Sequence, residues 1–402
     1  MTAIAHVDAT VAPDALEPTL ATVAPMPPGK YRVSMSAPDI LPEDIRLVTE
    51  VLQSKTLCLG PFLSEFERAF ADFFGTRYAV GVSNGTAGLH LCIRAANIAD
   101  GDEVITTPFG FVASANCILY ERARPVFVDI DEVSMNLDPE LARRAVTERT
   151  RAVLPVHVFG QPCAMAELDE LCRERDLLLI EDACEAIGAE YRGRKVGTFG
   201  KAAVFSFYPN KQMTTGEGAI ITTNDPDWAT LLRSLRNQGR DEFSTWLVHE
   251  RLGYNYRLNE MSAALGLSQL RRIETLLARR QAVAARYTEL LRGVPGVGVL
   301  SAVPSTSRLS WFVFIIRLQP GIDRDRVIAE LEKSRIPSRV YFTPIHLQPF
   351  YRRSFGFAEG DFPVTERVAS STLALPFHSN LADDEMDYVV ESLRHAVDCA
   401  AG

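Results

Sequence analysis

From about residue 45 to residue 225, short apolar runs alternate with helix-like segments along the chain. The runs are β-prone and short enough to be buried strands. Seven strands are predicted, at Tyr78–Ser83, Glu103–Thr107, Val126–Ile130, Ala152–Val158, Leu177–Ile180, Ala202–Phe207 and Ala219–Thr223. Helices are predicted between most of them, at Thr86–Ala96, Val112–Glu121, Pro139–Thr147 and Met165–Arg175. This alternation indicates one large α/β domain with a mainly parallel seven-stranded sheet between helices.

The pattern changes after this region. Residues 258–292 are rich in Leu, Ala and Arg and predict a long helical region, which a Pro-Gly pair ends. The remaining residues predict two strands, Trp311–Leu318 and Ser338–Phe342, and two helices, Arg324–Ser334 and Asp383–Ala400. We therefore expect a flexible or extended leader over residues 1–34, a large domain over 35–290 and a smaller C-terminal α+β domain over 291–402.

The composition is that of a globular protein with an acidic balance. Of 402 residues, 47% are hydrophobic and 23% are charged, and the formal net charge is −9. This excess of negative charge argues against non-specific binding to nucleic acid or to a membrane surface. The chain has seven cysteines without a C-x-x-C pair, no apolar run of membrane-spanning length and no secretory signal. We expect a cytoplasmic protein with reduced thiols and no bound metal.

One lysine stands on a tight loop between two predicted strands. The stretch FSFYPNKQMTTGEGAIITTND, residues 205–225, places Lys211 among Pro, Asn, Thr and Gly residues, and Ser206 lies five residues earlier. A loop lysine is usually a solvated surface charge. Here the glycine-rich loop at the end of a buried strand indicates that the backbone passes close to another group.

Three other strand ends carry polar or aromatic side chains, where ligands bind in open α/β sheets. Asp182 follows the apolar run LLLI and is either a helix N-cap or a partner for a cation. The turn SNGT at 83–86 is either an ordinary strand-to-helix connection or an anion site at a helix N-terminus. Phe109 and Phe111 follow another strand, and such rings either fill the core or cover a flat cofactor.

Together these residues match the requirements of pyridoxal 5'-phosphate. The cofactor needs a lysine for its aldimine, a carboxylate to keep the ring nitrogen protonated, a cradle for its phosphate and a stacked ring. All four are present at strand ends. The sequence contains no Walker A loop, dinucleotide fingerprint, H-E-x-x-H motif or G-x-S-x-G elbow.

Longer stretches add to this interpretation. One is the segment EDACEAIGAEYRGRKVGTFGKAAVFSFYPNKQMTTGEGAIITTND, and others are GPFLSEFERAFADFFG, VSNGTAGLHL, VFVDID, LPVHVFGQP, LRNQG, LGYNYRLNEMSAALGLSQL and YFTPIHLQPFY. Together they resemble the DegT/StrS sugar aminotransferases, a family of pyridoxal-phosphate-dependent transferases of fold type I within the aspartate-aminotransferase superfamily, and the first segment closely resembles the core of that family. The resemblance covers roughly residues 35–395.

The resemblance implies roles for the residues around the cofactor. Lys211 resembles the lysine that forms the covalent aldimine, and Asp182 resembles the acid that pairs with the pyridine nitrogen. Phe111 matches the stacking aromatic residue. The positions that match the phosphate-binding residues are Gly85, Thr86 and Ser206.

Three further positions take roles from the resemblance. Asn255, in GYNYR, resembles an asparagine that reaches the cofactor phosphate of the neighbouring subunit, which implies a homodimer with shared active sites. Glu185 stands near the cofactor's phenolic oxygen, where the family has Gln, His or sometimes Glu, and a carboxylate is unfavourable beside an O⁻. His346 matches a small-domain histidine near the sugar-binding region.

The activity implied by the resemblance is transfer of an amino group from L-glutamate to a nucleotide-linked keto sugar. The reaction would follow ping-pong kinetics through Lys211, with pyridoxamine phosphate in turnover and 2-oxoglutarate and an amino sugar as products. The nucleotide and the choice between C3 and C4 stay open, and Glu185 together with FYPNK favours perosamine-type 4-amination.

Three alternatives accompany this interpretation. An aminocyclitol aminotransferase would act on a keto-inositol. A keto-sugar dehydratase of the same fold would use the pyridoxamine form, but those enzymes have histidine where this chain has Lys211. A non-catalytic regulatory protein on this fold is the third, and no helix-turn-helix segment or basic patch supports it.

Overall fold

A seven-stranded sheet lies at the centre of the computed structural model, which describes residues 30–241 and 248–401. The strands of this part of the chain are β1 (Tyr78–Val82), β2 (Glu103–Thr106), β3 (Arg124–Phe127), β4 (Thr150–Val153), β5 (Leu178–Asp182), β6 (Glu190–Tyr191), β7 (Arg194–Lys195), β8 (Ala202–Ser206), β9 (Ala219–Thr223), β10 (Val297–Val299), β11 (Thr306–Arg308), β12 (Phe314–Leu318) and β13 (Thr372–Leu375). Its α-helices are α1 (Pro42–Ser54), α2 (Pro61–Phe74), α3 (Gly85–Ala95), α4 (Ala113–Tyr120), α5 (Pro139–Ala145), α6 (Met165–Arg175), α7 (Pro226–Arg236), α8 (Glu260–Arg271), α9 (Ile273–Leu290), α10 (Arg324–Lys333), α11 (Pro349–Phe355), α12 (Pro363–Ser371) and α13 (Asp383–Ala400).

The strand order in the central sheet is β1-β9-β8-β5-β4-β2-β3. Neighbouring strands run parallel except at β9, which is antiparallel to both β1 and β8. All seven predicted strands lie in this sheet, and the predicted mainly parallel arrangement is confirmed. Because β1, β5 and β8 point the same way, their carboxyl ends meet at one edge. In this register Asp182 pairs with Val204, two residues before Ser206.

Apolar side chains cover both faces of the sheet. Along β8, Val204 faces α3 so closely that a Cβ on Gly88 would stand 2.7 Å from its Cγ1. The next residue, Phe205, points to the other face and packs on Phe70 and Phe74 of α2, with ring centroids 5.4 and 4.3 Å away. Burial on both faces accounts for the continuous apolar run in the sequence. It also holds the carboxyl end of β8 rigidly beneath the loop of Lys211.

The helical region predicted over residues 258–292 is confirmed as two helices, α8 and α9, which meet at Arg272. Arg272 has φ −119° and ψ 18°, outside the helical region. Its guanidinium donates to Asp44 Oδ2 at 2.9 Å and to the carbonyl oxygen of Asp39 at 2.5 Å. The interruption between the two helices therefore places the Arg272 side chain against Asp39 and Asp44, near the start of the described chain.

The C-terminal part contains a three-stranded antiparallel sheet of order β10-β12-β13. The predicted strand at 311–318 and the two predicted helices are present as β12, α10 and α13. The strand predicted at Ser338–Phe342 is wrong, because this segment makes a single bridge, between Arg339 and Ala374. Its β-prone residues Tyr341 and Phe342 line a cavity instead of extending the sheet.

Most of the predicted N-terminal leader lies outside the described residues. Residues 30–34 lie against α10 and α13, where the Tyr31 hydroxyl donates to Glu332 Oε2 at 3.0 Å. The Arg32 guanidinium carbon lies 3.8 Å from the centroid of the Tyr388 ring. Among the described helices, none has both the length and the apolar character needed to cross a bilayer.

Candidate active site

A cavity of about 790 Å³ opens at the carboxyl ends of β1, β5 and β8. It lies between the central sheet and the C-terminal part, which contributes Phe312, Tyr341 and Phe342. Seven of the nine residues to which the resemblance assigns a role line it: Gly85, Thr86, Phe111, Asp182, Glu185, Ser206 and Lys211. Parallel strands thus bring together side chains that are far apart along the chain.

The Lys211 amine is enclosed in this cavity. Its side chain is 11% exposed, and Nζ lies 3.7 Å from Glu185 Oε1. The same amine lies 3.7 Å from the centroid of the Phe312 ring. A carboxylate and an aromatic face therefore surround it, and the alternative of a solvated surface lysine is excluded.

Two buried polar side chains hold the backbone of the Lys211 loop. Arg280 of α9 donates from Nη2 to the carbonyl oxygens of Lys211 at 2.8 Å and Asn210 at 3.2 Å. Gln212 Nε2 donates to the carbonyl oxygen of Glu185 at 2.7 Å. Burial lowers the pKa of Arg280 to about 10, so the guanidinium stays charged at neutral pH. The loop is thereby tied to a helix and to the loop after β5.

The Asp182 carboxylate is fixed by two donors at the end of β5. Ser114 donates from Oγ to Asp182 Oδ2 at 2.6 Å, and the Cys184 amide donates to Oδ1 at 3.1 Å. Residues 183–189 form turns, so no helix follows for Asp182 to cap, and the N-cap alternative is excluded. Asp182 is 5% exposed and presents a negatively charged hydrogen-bond acceptor inside the cavity.

The neighbouring acid, Glu181, has a structural role on the opposite side of the strand. It is fully buried and accepts hydrogen bonds from the amides of the 197–200 turn, at 2.6 to 2.8 Å. His157 Nδ1 accepts from the Cys163 amide at 3.0 Å, so its Nε2 carries the proton and donates to Glu181 Oε2 at 3.2 Å. Of the two consecutive acids, only Asp182 lines the cavity.

The N-terminus of α3 forms a cradle next to Ser206. The Asn84 side chain accepts from the Ala87 amide at 2.8 Å, which leaves the amides of Gly85 and Thr86 at the mouth of the helix. A Cβ on Gly85 would stand 3.1 Å from Cys184 Sγ and 3.4 Å from Ser206 Oγ. A side chain at position 85 would therefore fill a space that suits a phosphate group.

Glu185 is a buried acid beside the lysine. Its Oε2 accepts from the Phe159 amide at 2.8 Å. Burial raises the pKa of Glu185 above its ordinary value, and the positive charge of Lys211 opposes this effect. Its carboxyl group thus takes up a proton more readily than an exposed glutamate does.

We expect Glu185→Gln to reduce the pH dependence of stability in the cofactor-free protein. Because the native pKa is raised above 4.5, stability falls as the pH rises from that value through the native pKa. Glutamine does not titrate, and its amide oxygen can keep the bond from Phe159. Thermal unfolding measured from below pH 4.5 up to about pH 8 should show the stability of the variant rising relative to that of the wild type as the pH increases. A difference that stays constant across this range would contradict the raised pKa.

The two phenylalanines after β2 have different environments. Phe109 is fully buried and packs edge-to-face on Phe159, with ring centroids 5.8 Å apart. Phe111 is 61% exposed and lines the cavity. A second groove of about 720 Å³ shares Phe111, Tyr120 and Phe342 with the cavity. Phe111 therefore stands at the junction of two spaces, and Phe109 belongs to the core.

The structure does not bring Asn255 and His346 into the cavity. Asn255 is exposed, and its backbone bridges to Asn237. His346 is fully buried and its Nε2 lies 2.9 Å from Glu366 Oε1, so in this chain it faces a glutamate rather than the cavity. The contact between His346 and the sugar stays a prediction.

Ser114, Gln212 and Arg280 were missed in the sequence. Ser114 carries no motif signal, although it follows the aromatic pair after a strand. Arg280 could have been noticed in the sequence, because it lies four residues from both Leu276 and Ala284 and so shares their apolar helix face. A charged residue on an apolar helix face requires a buried partner.

Comparisons with known proteins agree with this site. The DegT/DnrJ/EryC1/StrS aminotransferase family model matches residues 38–394. The chain is 40% identical over 365 residues to the GDP-perosamine synthase of Caulobacter vibrioides, which covers 90% of this chain and 97% of that protein. It is 38% identical over 350 residues to the dTDP-3-amino-3,4,6-trideoxy-alpha-D-glucose transaminase of Streptomyces venezuelae, with 86% and 90% covered.

Solved structures show the same architecture. DesV of S. venezuelae, in complex with a ketimine intermediate, is 37% identical and gives a TM-score of 0.83, with 88% of this chain and 94% of that chain covered. The expected fold, that of pyridoxal-phosphate-dependent transferases of fold type I, is confirmed. A family match over most of the sequence, supported by the fold and by close relatives, leads to one conclusion: the chain belongs to the DegT/DnrJ/EryC1/StrS aminotransferase family.

Proposed function

We propose that the protein is a pyridoxal-phosphate-dependent aminotransferase that converts a nucleotide-linked keto sugar into an amino sugar. One observation carries the proposal: a single cavity holds an enclosed amine, a fixed carboxylate and a helix N-terminus suited to phosphate. Family membership and relatives named as sugar aminotransferases support it.

The residues of the cavity fit pyridoxal phosphate. Three positions would hold the phosphate: Gly85, Thr86 and Ser206. Asp182 would pair with the ring nitrogen, Phe111 would cover a ring face and Lys211 would bind the aldehyde carbon covalently. When bound, this cofactor supplies an electron sink for the bond broken at Cα of the amino donor.

The residues of this chain then perform two tasks. Asp182, held by Ser114 and the Cys184 amide, keeps a proton on the ring nitrogen because its carboxylate cannot turn away. The Lys211 amine, once exchanged for the donor's amine, takes the proton from Cα as a general base. Arg280 and Gln212 keep the lysine loop in place during this exchange.

The substrate and assembly are part of the proposal. L-glutamate is the amino donor, 2-oxoglutarate leaves before the keto sugar binds, and kinetics are ping-pong. The groove that shares Phe111 and Tyr120 with the cavity offers space for the rest of a nucleotide sugar. Asn255, exposed in a single chain, would complete the site of a second subunit in a cytoplasmic homodimer.

The predicted domain boundaries, after residue 34 and after residue 290, stay a prediction.

A panel assay tests the function. The purified protein is supplied with L-glutamate and with one acceptor at a time. The acceptors are 4-keto and 3-keto sugars carried on UDP, dTDP and GDP, and a keto-inositol, and 2-oxoglutarate and the aminated product are measured. We expect turnover with one of the 4-keto sugars. Turnover with a keto-inositol alone would establish the aminocyclitol alternative, and loss of a sugar hydroxyl without amine transfer would establish the dehydratase. No reaction with any acceptor, together with no cofactor absorbance, would favour a non-catalytic protein.

A further inference from the structure

Three side chains with metal-ligand chemistry lie together on the surface of two C-terminal helices. His395 and Cys399 stand one turn apart on α13, and Glu330 lies opposite them on α10. One ligand atom of each lies within 4.8 Å of the other two. None of the three lines the cavity at the central sheet, so the cluster is separate from the proposed active site.

The separation of the sulfur and the nitrogen suits a bound metal ion. Cys399 Sγ lies 3.7 Å from His395 Nε2. Tetrahedral zinc, with Zn–S of about 2.3 Å and Zn–N of about 2.0 Å, holds such a pair of atoms about 3.5 Å apart. A zinc ion could therefore bind both side chains after a small side-chain adjustment.

The helices that carry the ligands are held firmly against each other. Residues of both helices lie in one hydrophobic cluster: Val327 and Leu331 of α10, and Leu393, Ala396 and Val397 of α13. Arg326 Nη2 of α10 donates to the carbonyl oxygen of Cys399 at 2.7 Å. The ligand positions are thus set by packing before any metal binds, which reduces the entropy lost on binding.

Glu330 presents a carboxylate oxygen beside the imidazole of His395 and the thiol of Cys399. Lys333 Nζ lies 2.7 Å from Glu330 Oε1, but the lysine side chain is 71% exposed. Such an exposed pair contributes little stability, so a metal ion can compete with the lysine.

We propose that Glu330, His395 and Cys399 bind Zn²⁺ or a similar divalent transition-metal ion, with water in the fourth position. A thiolate and an imidazole favour zinc over Mg²⁺ and Ca²⁺, which prefer oxygen ligands. Binding forms a metal–sulfur bond and releases the thiol proton to solvent, without oxidation or reduction. The ion ties α10 to α13 and stabilises the C-terminal part of the protein.

Cobalt spectroscopy on the cofactor-loaded, tag-free protein tests the site. Co²⁺ added to wild-type protein should give one equivalent of d–d absorption at visible wavelengths longer than those the cofactor absorbs. The thiolate-to-cobalt band, which overlaps the cofactor's absorption, is read as the difference from the same cofactor-loaded protein without metal. Cys399→Ser should remove the thiolate band and weaken Zn²⁺ binding by more than about 100-fold, because even outer-shell changes cost 10- to 100-fold. Cys58→Ser, which removes an exposed thiol outside the cluster, should leave the thiolate band and the affinity for Zn²⁺ unchanged.

Two further measurements separate a true site from a fortuitous cluster. Zn²⁺ should raise the Tm of the wild type but not of His395→Ala. Lys333→Ala, which removes the competing cation, should tighten Zn²⁺ binding. Absence of cobalt absorption in the wild type at equimolar metal, or a thiolate band that survives in Cys399→Ser, would overturn the proposal.

Discussion

Lys211→Ala is expected to abolish amino-group transfer, with a loss of at least about 10⁴-fold in kcat/KM. Loss of a general acid–base residue alone costs about 10²- to 10⁴-fold. Here the same amine is proposed to bind the cofactor covalently and to move the proton. No other lysine lines the cavity, among the residues that the structure describes, so no neighbouring amine can replace it.

Borohydride reduction gives an independent measurement of this lysine. In the wild type, reduction should fix the cofactor's mass on the peptide that contains residue 211, and in Lys211→Ala that adduct should be missing. Lys201→Ala is the matched control, because Lys201 pairs with Asp225 and lies outside the cavity. Wild-type turnover in Lys211→Ala, or an adduct on a different lysine, would refute the assignment.

Asp182→Asn is expected to retain part of the cofactor and to lose about 10²- to 10³-fold in kcat, the scale of losing one key electrostatic contact. Asparagine keeps the size of the side chain but cannot hold a proton on the ring nitrogen, so the ring becomes a poorer electron sink. Single-turnover rates with L-glutamate would measure the effect on proton removal separately from cofactor loss.

Ser114→Ala is expected to reduce the rate less than Asp182→Asn does. It removes one of the two donors to Asp182 but leaves the charge, so the loss in rate should be smaller than in Asp182→Asn. An unchanged rate in Asp182→Asn at saturating cofactor would assign the ring-nitrogen role to another acid.

The strands and the candidate chemistry were predictable because both depend on local sequence. Buried parallel strands require continuous apolar runs, and all seven were found. Lys211 was recognisable because its loop is polar and glycine-rich between such runs. The error at Ser338–Phe342 has the same origin, since β-prone residues that line a cavity look like residues of a strand.

The supports of the site were not predictable from local sequence. Arg280 lies on α9, yet it holds the carbonyl oxygen of Lys211 across the fold. Likewise, Ser114 in the first turn of α4 meets Asp182 at the end of β5 only because the carboxyl ends of β2 and β5 lie at the same edge of the sheet. Hydrogen bonds between residues so distant along the chain leave no periodic pattern, so no spacing rule can detect them.

The mainly parallel sheet, and the amine and the acid at its carboxyl edge, were evident from the amino-acid sequence alone. The family was evident in the same way, because burial and motif spacing are properties of short segments. The three-dimensional fold was needed to show which of two consecutive acids faces the cavity, which of two phenylalanines is exposed and that His346 faces Glu366. Those choices depend on side-chain direction and on neighbours from distant segments. Packing sets both once the sheet, the helices and the C-terminal part come together.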